Sequence, residues 1–208
     1  MRLLVIDTAT QALSVALLEN GAPIGRFHDI VGRGHAEALL PAIAALPHGG
    51  RTDAIAVDVG PGSFTGVRIG VAAARALALA WAIPVQGYSA PALIAAKAAQ
   101  NHGGGPITVT ITGGHGELFW QMFDTTGLVP MTAIASTPIA TLATQLEADA
   151  FYGTGAETLV TARGHGTAVT IYPDATDFPL IASLPPLPAT PVYGRGADAM
   201  TMAERAAS

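Results

Sequence analysis

Hydrophobic and polar positions divide the first hundred residues into a regular series of strands and helices. Residues 2–8 and 13–19 are rich in aliphatic side chains, and Asn20-Gly21 precedes a further run at 23–27. An Asn-Gly dipeptide between such runs is typical of a tight β-hairpin turn. The N-terminus is therefore predicted to form a three-stranded meander.

Helical spacing begins after the meander. Leu39, Leu40, Ile43 and Leu46 recur at the period of an α-helix, and the apolar run 54–58 predicts a buried strand. Pro84 and the Gly-rich cluster 101–106 are expected to end two further helices on either side of a short strand near Val85. The three helices are predicted at 35–46, 65–82 and 89–100.

The same order of elements recurs in the second half of the chain, which favours a structural duplication. Strands are predicted at 107–112, 117–123, 127–135 and 150–152, with a helix at 138–147. Proline-dense sequence at 173–191 indicates an extended path back to the first half, followed by a short alanine-rich helix. The predicted boundaries are 1–101 for the N-terminal lobe, 102–190 for the C-terminal lobe and 191–208 for a return segment on the N-terminal lobe.

Composition narrows the classes of function. Charged residues make up 12% of the chain, the net charge is −5, and cysteine is absent. The lack of cysteine excludes disulfides and thiolate metal sites, and scattered basic residues argue against strong direct binding of tRNA by this chain alone. The apolar run at the N-terminus is cut short by Asp7, too early for an export signal. We therefore expect a cytoplasmic protein with no membrane attachment.

Asp7 and Thr8 are the first candidates for chemistry, because they follow a predicted strand directly. A carboxylate and a hydroxyl at a strand end can face a metal-bound phosphate. The same residues can equally satisfy backbone groups at the turn. Both interpretations remain open from these residues alone.

The segment Gly60-Pro61-Gly62-Ser63-Phe64-Thr65-Gly66 links the strand at 54–58 to the next helix. A Gly-rich turn before a helix can hold an anion. This one matches neither nucleotide fingerprint, because Val67 stands where a phosphate-binding loop has lysine and the glycines are spaced too widely for a dinucleotide motif. It is either a turn that lets helix and strand pack closely or an interaction site.

The helix at 65–82 is apolar nearly all round, and its only charged residues are Arg68 and Arg75. Such a helix is predicted to be buried on more than one side, either by a partner subunit or by the protein's own second lobe.

Histidine gives little sign of a metal site. His35 opens the first helix, but position 39, one turn later, is leucine, so a helical histidine pair is absent. His35 is expected at a helix start or on the surface. A nucleophilic serine in a G-x-S-x-G elbow is absent too.

Taken together, Ile6–Thr10, His35–Pro41 and Gly60–Gly70 resemble the TsaB family, also called YeaZ. Further matching segments are Gly116-Glu117-Leu118-Phe119-Trp120, Gly153-Thr154-Gly155-Ala156 and Pro191-Val192-Tyr193-Gly194-Arg195. The resemblance implies an α/β protein with the actin-like ATPase (ASKHA, ribonuclease H-like) fold, in which each of two lobes has a mixed five-stranded sheet flanked by helices.

The resemblance also implies a function. Members of the family are non-catalytic scaffolds that bind the catalytic paralogue TsaD, are joined by the ATPase TsaE, and meet tRNA only through the complex. The complex transfers threonylcarbamoyl to N6 of adenosine 37 in ANN-decoding tRNAs. A homodimer is expected when TsaD is missing, and ATP and Mg²⁺ are expected at the complex interface rather than tightly bound by this chain. The implied interface residues are His35, Leu39, Leu40, Ile43, Phe64, Thr65, Arg68, Val71, Ala74 and Arg75.

The chain departs from the family at Thr112-Gly113-Gly114, where relatives often have Asp-Ala-Arg. Three alternatives stay open. The chain could be an actin-like ATP-dependent enzyme that uses Asp7 and Thr8, a degenerate relative of metallopeptidases, or a homodimer with no further partner.

Overall fold

The computed structural model describes residues 1–192, and its two lobes each contain a five-stranded sheet. In the N-terminal lobe the spatial order is β3-β2-β1-β4-β5. Strands β1 to β3 form an antiparallel meander, and β1, β4 and β5 run parallel. The strands are β1 (Arg2–Asp7), β2 (Ala12–Glu19), β3 (Ala22–Ile30), β4 (Ala54–Asp58) and β5 (Val85–Tyr88).

Three helices belong to the N-terminal lobe and confirm the predicted helices within a few residues. Ser63 caps α2 by accepting a hydrogen bond from the Gly66 N–H. Ala82 ends the same helix in a left-handed conformation, immediately before Ile83-Pro84. The helices are α1 (His35–Ala44), α2 (Phe64–Trp81) and α3 (Ala90–Ala99).

The C-terminal lobe repeats this arrangement, with the order β10-β9-β6-β7-β8. Each lobe has three antiparallel strands and two further strands in parallel, with one helix before each of the parallel ones. This duplication confirms the predicted actin-like α/β fold. The elements are β6 (Ile107–Thr112), β7 (Glu117–Phe123), β8 (Ala135–Pro138), α4 (Ile139–Gln145), β9 (Ala150–Tyr152), α5 (Ala156–Arg163) and β10 (Thr167–Val169).

The predicted strand at 127–135 is wrong. Only an isolated bridge joins Pro130 to Phe123 of β7, and the continuous ladder begins at Ala135, which lies opposite Trp120. Gly127 and Leu128 both have positive φ angles, and this backbone conformation cannot continue a strand. The third strand of the C-terminal meander is therefore short and late.

The core passes continuously from one lobe to the other. Strands β1 and β4 are covered on both faces, as expected for the parallel centre of a sheet. Helix α3 buries eight of its ten residues. It contacts β6 and β7 of the second sheet as well as the chain that returns to the first lobe, so it joins the two lobes.

The return to the N-terminal lobe starts earlier than the predicted boundary at residue 190. A 3₁₀ helix at Ala175–Ile181 packs on β1, β2 and α3. Leu187 then pairs with Gly87 on the outer edge of β5, and the Val192 N–H donates to the Val59 carbonyl oxygen. The chain is therefore back on the N-terminal lobe by residue 175. The predicted closing helix lies outside the described residues.

Candidate functional site

Asp7 and Asp58 lie at the ends of two neighbouring parallel strands, β1 and β4, and both are fully buried. The Tyr88 hydroxyl, at the end of β5, lies 3.0 Å from Asp7 Oδ2 and donates to it. Asp58 Oδ1 accepts from the backbone N–H groups of Gly60 and Ala90, both at 2.9 Å. Ala90 is the first residue of α3, so Asp58 caps that helix from another part of the chain.

The electrostatics of this pair follow from burial. Loss of water raises the pKa of the Asp7 carboxyl to about 7, against opposing hydrogen bonds from Tyr88 and the Ala9 N–H. Burial, then repulsion by Asp7, raises the pKa of Asp58 well above its usual value. Asp58 Oδ2 is buried without a hydrogen-bond partner, so no protein group stabilises a negative charge on that oxygen through a hydrogen bond. At neutral pH the pair therefore holds at least part of a proton.

The Gly-rich loop is packed onto the turn that follows Asp7. The Ser63 N–H donates to the Ala9 carbonyl oxygen at 2.7 Å, and Thr8 Oγ1 donates to the Gly66 carbonyl oxygen at 2.8 Å. A Cβ atom at Gly62 would lie 2.2 Å from the Ala9 oxygen. A Cβ atom at Gly66 would lie 2.1 Å from the Thr8 oxygen. The glycines are required because backbone meets backbone here.

This packing encloses the side chains of Asp7 and Thr8. Both side chains face protein groups, and the loop fills the space beside them. The cavity of about 350 Å³ between the lobes has a largely apolar lining that includes no charged residue. In the described part of the chain, no group of three or more His, Cys, Asp or Glu side chains could hold a metal ion.

The C-terminal lobe has an equivalent contact. Gly153 and Gly155 lie between β9 and α5, as the first Gly-rich loop lies between β4 and α2. The Gly155 N–H donates to the Thr110 carbonyl oxygen at 3.0 Å, and a Cβ atom at Gly153 would lie 2.4 Å from that oxygen. Thr112 is held by two hydrogen bonds to Thr154. Both glycine motifs thus serve close packing, and Thr112-Gly113-Gly114 begins the hairpin beside the second one.

Within this chain helix α2 is buried on one side, so the second lobe does not cover its other side, and burial there by a partner subunit stays a prediction. One face, which includes Val67, Val71 and Ala74, is buried in the core, while the opposite face is open. Leu79 is 85% exposed. By length and composition, α2 is the one helix in residues 1–192 that could cross a membrane, but its buried face packs on β4 as in a core helix. The open stripe consists of Phe64, Arg68, Ala72, Arg75 and Leu79, which follow one another at helical spacing.

Helix α1 contacts α2 and adds Leu40, which is 53% exposed. We call the exposed residues of these two helices the α1–α2 face. Burial divides the ten implied interface residues into two groups. Those on the face are Leu40, Phe64, Thr65, Arg68 and Arg75; those inside the core are His35, Leu39, Ile43, Val71 and Ala74.

The core group therefore supports the face from below without forming part of its surface. His35 starts α1, which is one of the two positions expected for it, and its side chain is buried. Its Nε2 atom lies 3.2 Å from the Ala12 carbonyl oxygen, so the ring ties α1 to β2.

Sequence reasoning assigned no role to Asp58, Tyr88 or Leu79. One signal for Asp58 was available, since it ends a buried strand as Asp7 does. Tyr88 reaches Asp7 from a distance of 81 residues, which no local pattern reveals. Nothing in the sequence singles out Leu79, because periodicity does not show which side of an all-apolar helix is covered.

Comparisons with known proteins identify relatives of the chain. The family model described as "TsaD: tRNA N6-adenosine threonylcarbamoyltransferase" matches residues 27–169. The tRNA threonylcarbamoyladenosine biosynthesis protein TsaB of Escherichia coli is 38% identical over 128 residues, which cover 59% of this chain and 55% of that protein. The chain spans about half the length of the curated relatives it matches.

Two solved structures resemble more than nine tenths of the chain. A Pseudomonas aeruginosa protein described as similar to peptidase YEAZ is 30% identical, with a TM-score of 0.77, and the match covers 93% of this chain and 99% of that one. YeaZ from Pseudomonas aeruginosa is 29% identical, with a TM-score of 0.76, and the match covers 92% and 99%. With the shared motifs and the duplicated fold, these matches show that the chain belongs to the TsaB (YeaZ) family.

Proposed function

We propose that this chain is a non-catalytic, partner-binding subunit in the formation of threonylcarbamoyladenosine at position 37 of ANN-decoding tRNAs. Its partner is the catalytic paralogue TsaD, contacted through the α1–α2 face, and TsaE joins the pair. The chain is expected to act in the cytoplasm and to meet tRNA only within the complex. The names of its relatives place them in the same biosynthesis.

The observation that carries this proposal is the open stripe on α2. Several large apolar side chains left exposed on one side of a protein favour a contact site there. Leu79, Phe64 and Leu40 are all more than half exposed and lie on two helices in contact with each other. The buried state of Asp7 and Thr8 supports a role without nucleotide chemistry in this chain.

The test is light scattering after size-exclusion chromatography of this chain mixed with TsaD of the same organism. Wild-type protein is expected to form a mixed species, and Leu79→Asp is expected to lose it, because a carboxylate would be buried at the contact. Leu79→Asp should leave folding intact, since the side chain points to solvent.

Val129→Asp is the matched control. Val129 is 58% exposed but lies in the loop before β8, on the other lobe. The Val129→Asp variant should form the same amount of mixed species with TsaD as the wild type. If Leu79→Asp bound TsaD as tightly as the wild type, the α1–α2 face would not be the contact. ATP hydrolysis by the isolated chain, abolished by Asp7→Ala, would instead favour an ATP-dependent enzyme.

A further inference from the structure

The charges of the α1–α2 face differ in sign from those of the whole chain. The protein has 10 basic and 15 acidic residues, for a net charge of −5. Helix α2 nevertheless carries Arg68 and Arg75 and no acidic residue. Exposed Arg33 lies just before α1, and the only acidic residue of α1 is Glu37. The face is thus apolar and basic on an otherwise acidic protein.

The spacing along the stripe determines what a second copy would meet. In a two-fold symmetric contact, the same patch faces itself. If two antiparallel α2 helices cross near Ala72, residues whose numbers are equally far from the crossing point face each other. Phe64 then meets Leu79 of the second copy, which is favourable. Arg68 meets Arg75 of the second copy, and symmetry repeats this repulsion.

Both arginines lie within the stripe, next to its apolar residues. The Arg68 guanidinium lies over the Phe64 ring, 3.5 Å from its centroid, and so stays beside the apolar end of the stripe. Arg75 is one helical turn before Leu79, on the same stripe. An apolar contact that covers Leu79 must therefore place a group of the partner against Arg75.

We propose that the α1–α2 face selects a protein partner whose contact surface carries carboxylates, and that its arginines disfavour pairing with a second copy of this chain. The inference rests on the proposed function and adds the chemistry of the partner surface. Apolar Leu79, Phe64 and Leu40 on the same face favour a protein over tRNA as the occupant, because a phosphate backbone offers nothing to cover them.

The two assemblies should respond to salt in opposite directions. Salt screens repulsion as well as attraction between exposed charges. Self-association, measured by sedimentation equilibrium of the chain alone, should tighten as NaCl rises from about 20 to about 500 mM, over which the screening length falls from roughly 20 Å to roughly 4 Å. The complex with TsaD, measured by calorimetry, should weaken over the same range.

Arg75→Gln should separate the two assemblies further. Loss of the Arg75 charge should tighten the self-association about three- to ten-fold at low salt, because two repulsive pairs disappear. The same change should weaken the complex with TsaD about two- to five-fold. Arg26→Gln is the control with the same change of charge. The Arg26 side chain is 66% exposed and lies near Asp174, on the opposite face of the sheet from α1, so it should change neither constant by more than about 1.5-fold.

The outcomes distinguish this inference from the proposed function. If TsaD binds, but without any effect of salt or of Arg75→Gln, the charge inference is wrong and the proposed function stands. If TsaD never binds, the proposed function fails. Whether or not TsaD binds, self-association that weakens as salt is added would contradict the charge inference. Binding of a tRNA transcript by the chain alone, lost in Arg75→Gln, would replace the protein partner with RNA.

Discussion

At the scale of single residues, the buried pair Asp7–Asp58 should make stability depend on pH. Both pKa values are raised in the folded protein, so folding favours the protonated carboxyls. The stabilising contribution is complete below the unfolded pKa, near 4, and is lost as pH rises through about 7. This pair should therefore lower the urea midpoint of unfolding at pH 8 relative to pH 5.

Asp58→Asn tests this prediction. The amide oxygen can still accept from Gly60 and Ala90, while the raised pKa of Asp58 and the repulsion of Asp7 disappear. We expect the loss of stability between pH 5 and 8 to become smaller in the variant. Glu19→Gln, at an exposed strand end, should retain the wild-type dependence. An identical pH profile for Asp58→Asn and wild type would show that the pair does not titrate in this range.

The glycine at position 66 makes a second prediction at this scale. Alanine there would place its Cβ atom 2.1 Å from the Thr8 carbonyl oxygen, so the loop must move away from β1. We expect a loss of about 3 kcal/mol or more in the free energy of unfolding. Gly103→Ala is the control, because nothing lies within 4 Å of its position, and it should cost about 1 kcal/mol at most. Equal stability of the two variants, measured in urea, would argue against close backbone packing at the motif.

At the scale of elements, strand β6 carries two hydroxyls that the fold does not use. Thr108 Oγ1 and Thr110 Oγ1 are buried without a hydrogen-bond partner. Replacement by valine removes an unsatisfied polar group and keeps the shape, so each change should be neutral or stabilise by up to about 1 kcal/mol. Thr112→Val, at the end of the same strand, should instead destabilise, because Thr112 Oγ1 donates to the Thr154 carbonyl oxygen. The measurement is thermal unfolding of the three variants. If Thr110→Val were destabilised, the Thr110 hydroxyl of the wild type would have a hydrogen-bond partner.

Elements were predictable from sequence where their pattern was long and local. The meander and α2 follow from alternation and helical spacing, and the resemblance correctly anticipated the actin-like fold. Strand β8 was misplaced because four residues carry too little periodicity to outweigh a strand-like composition at 127–135. The fit of the glycine motifs against carbonyl oxygens, and the meeting of Asp7 with Asp58, depend on contacts between distant segments. Those contacts do not appear in any window of sequence.

At the scale of the whole molecule, the segment at 175–181 should stabilise the N-terminal lobe specifically. Phe178 is buried and its ring meets that of Tyr88 edge to face, with centroids 5.4 Å apart. Phe178→Ala should cost about 3–5 kcal/mol. Amide hydrogen exchange should then speed up mainly in β1, β4 and β5. Leu159→Ala, in the separate core of α4 and α5, should speed exchange mainly in β9 and β10. The same pattern for both variants would mean that the lobes unfold as one unit.

The pairing of Leu187 with Gly87 on β5 has a consequence for synthesis on the ribosome. The N-terminal lobe emerges first but is completed last. The outer edge of its strand β5 stays uncovered until Leu187, about a hundred residues after Gly87, has been synthesised. The second lobe, whose sheet lies between residues 107 and 169, can close its own sheet while the first still waits. A nascent chain arrested before residue 187 therefore exposes an unpaired strand edge, the kind of surface that invites association with other chains.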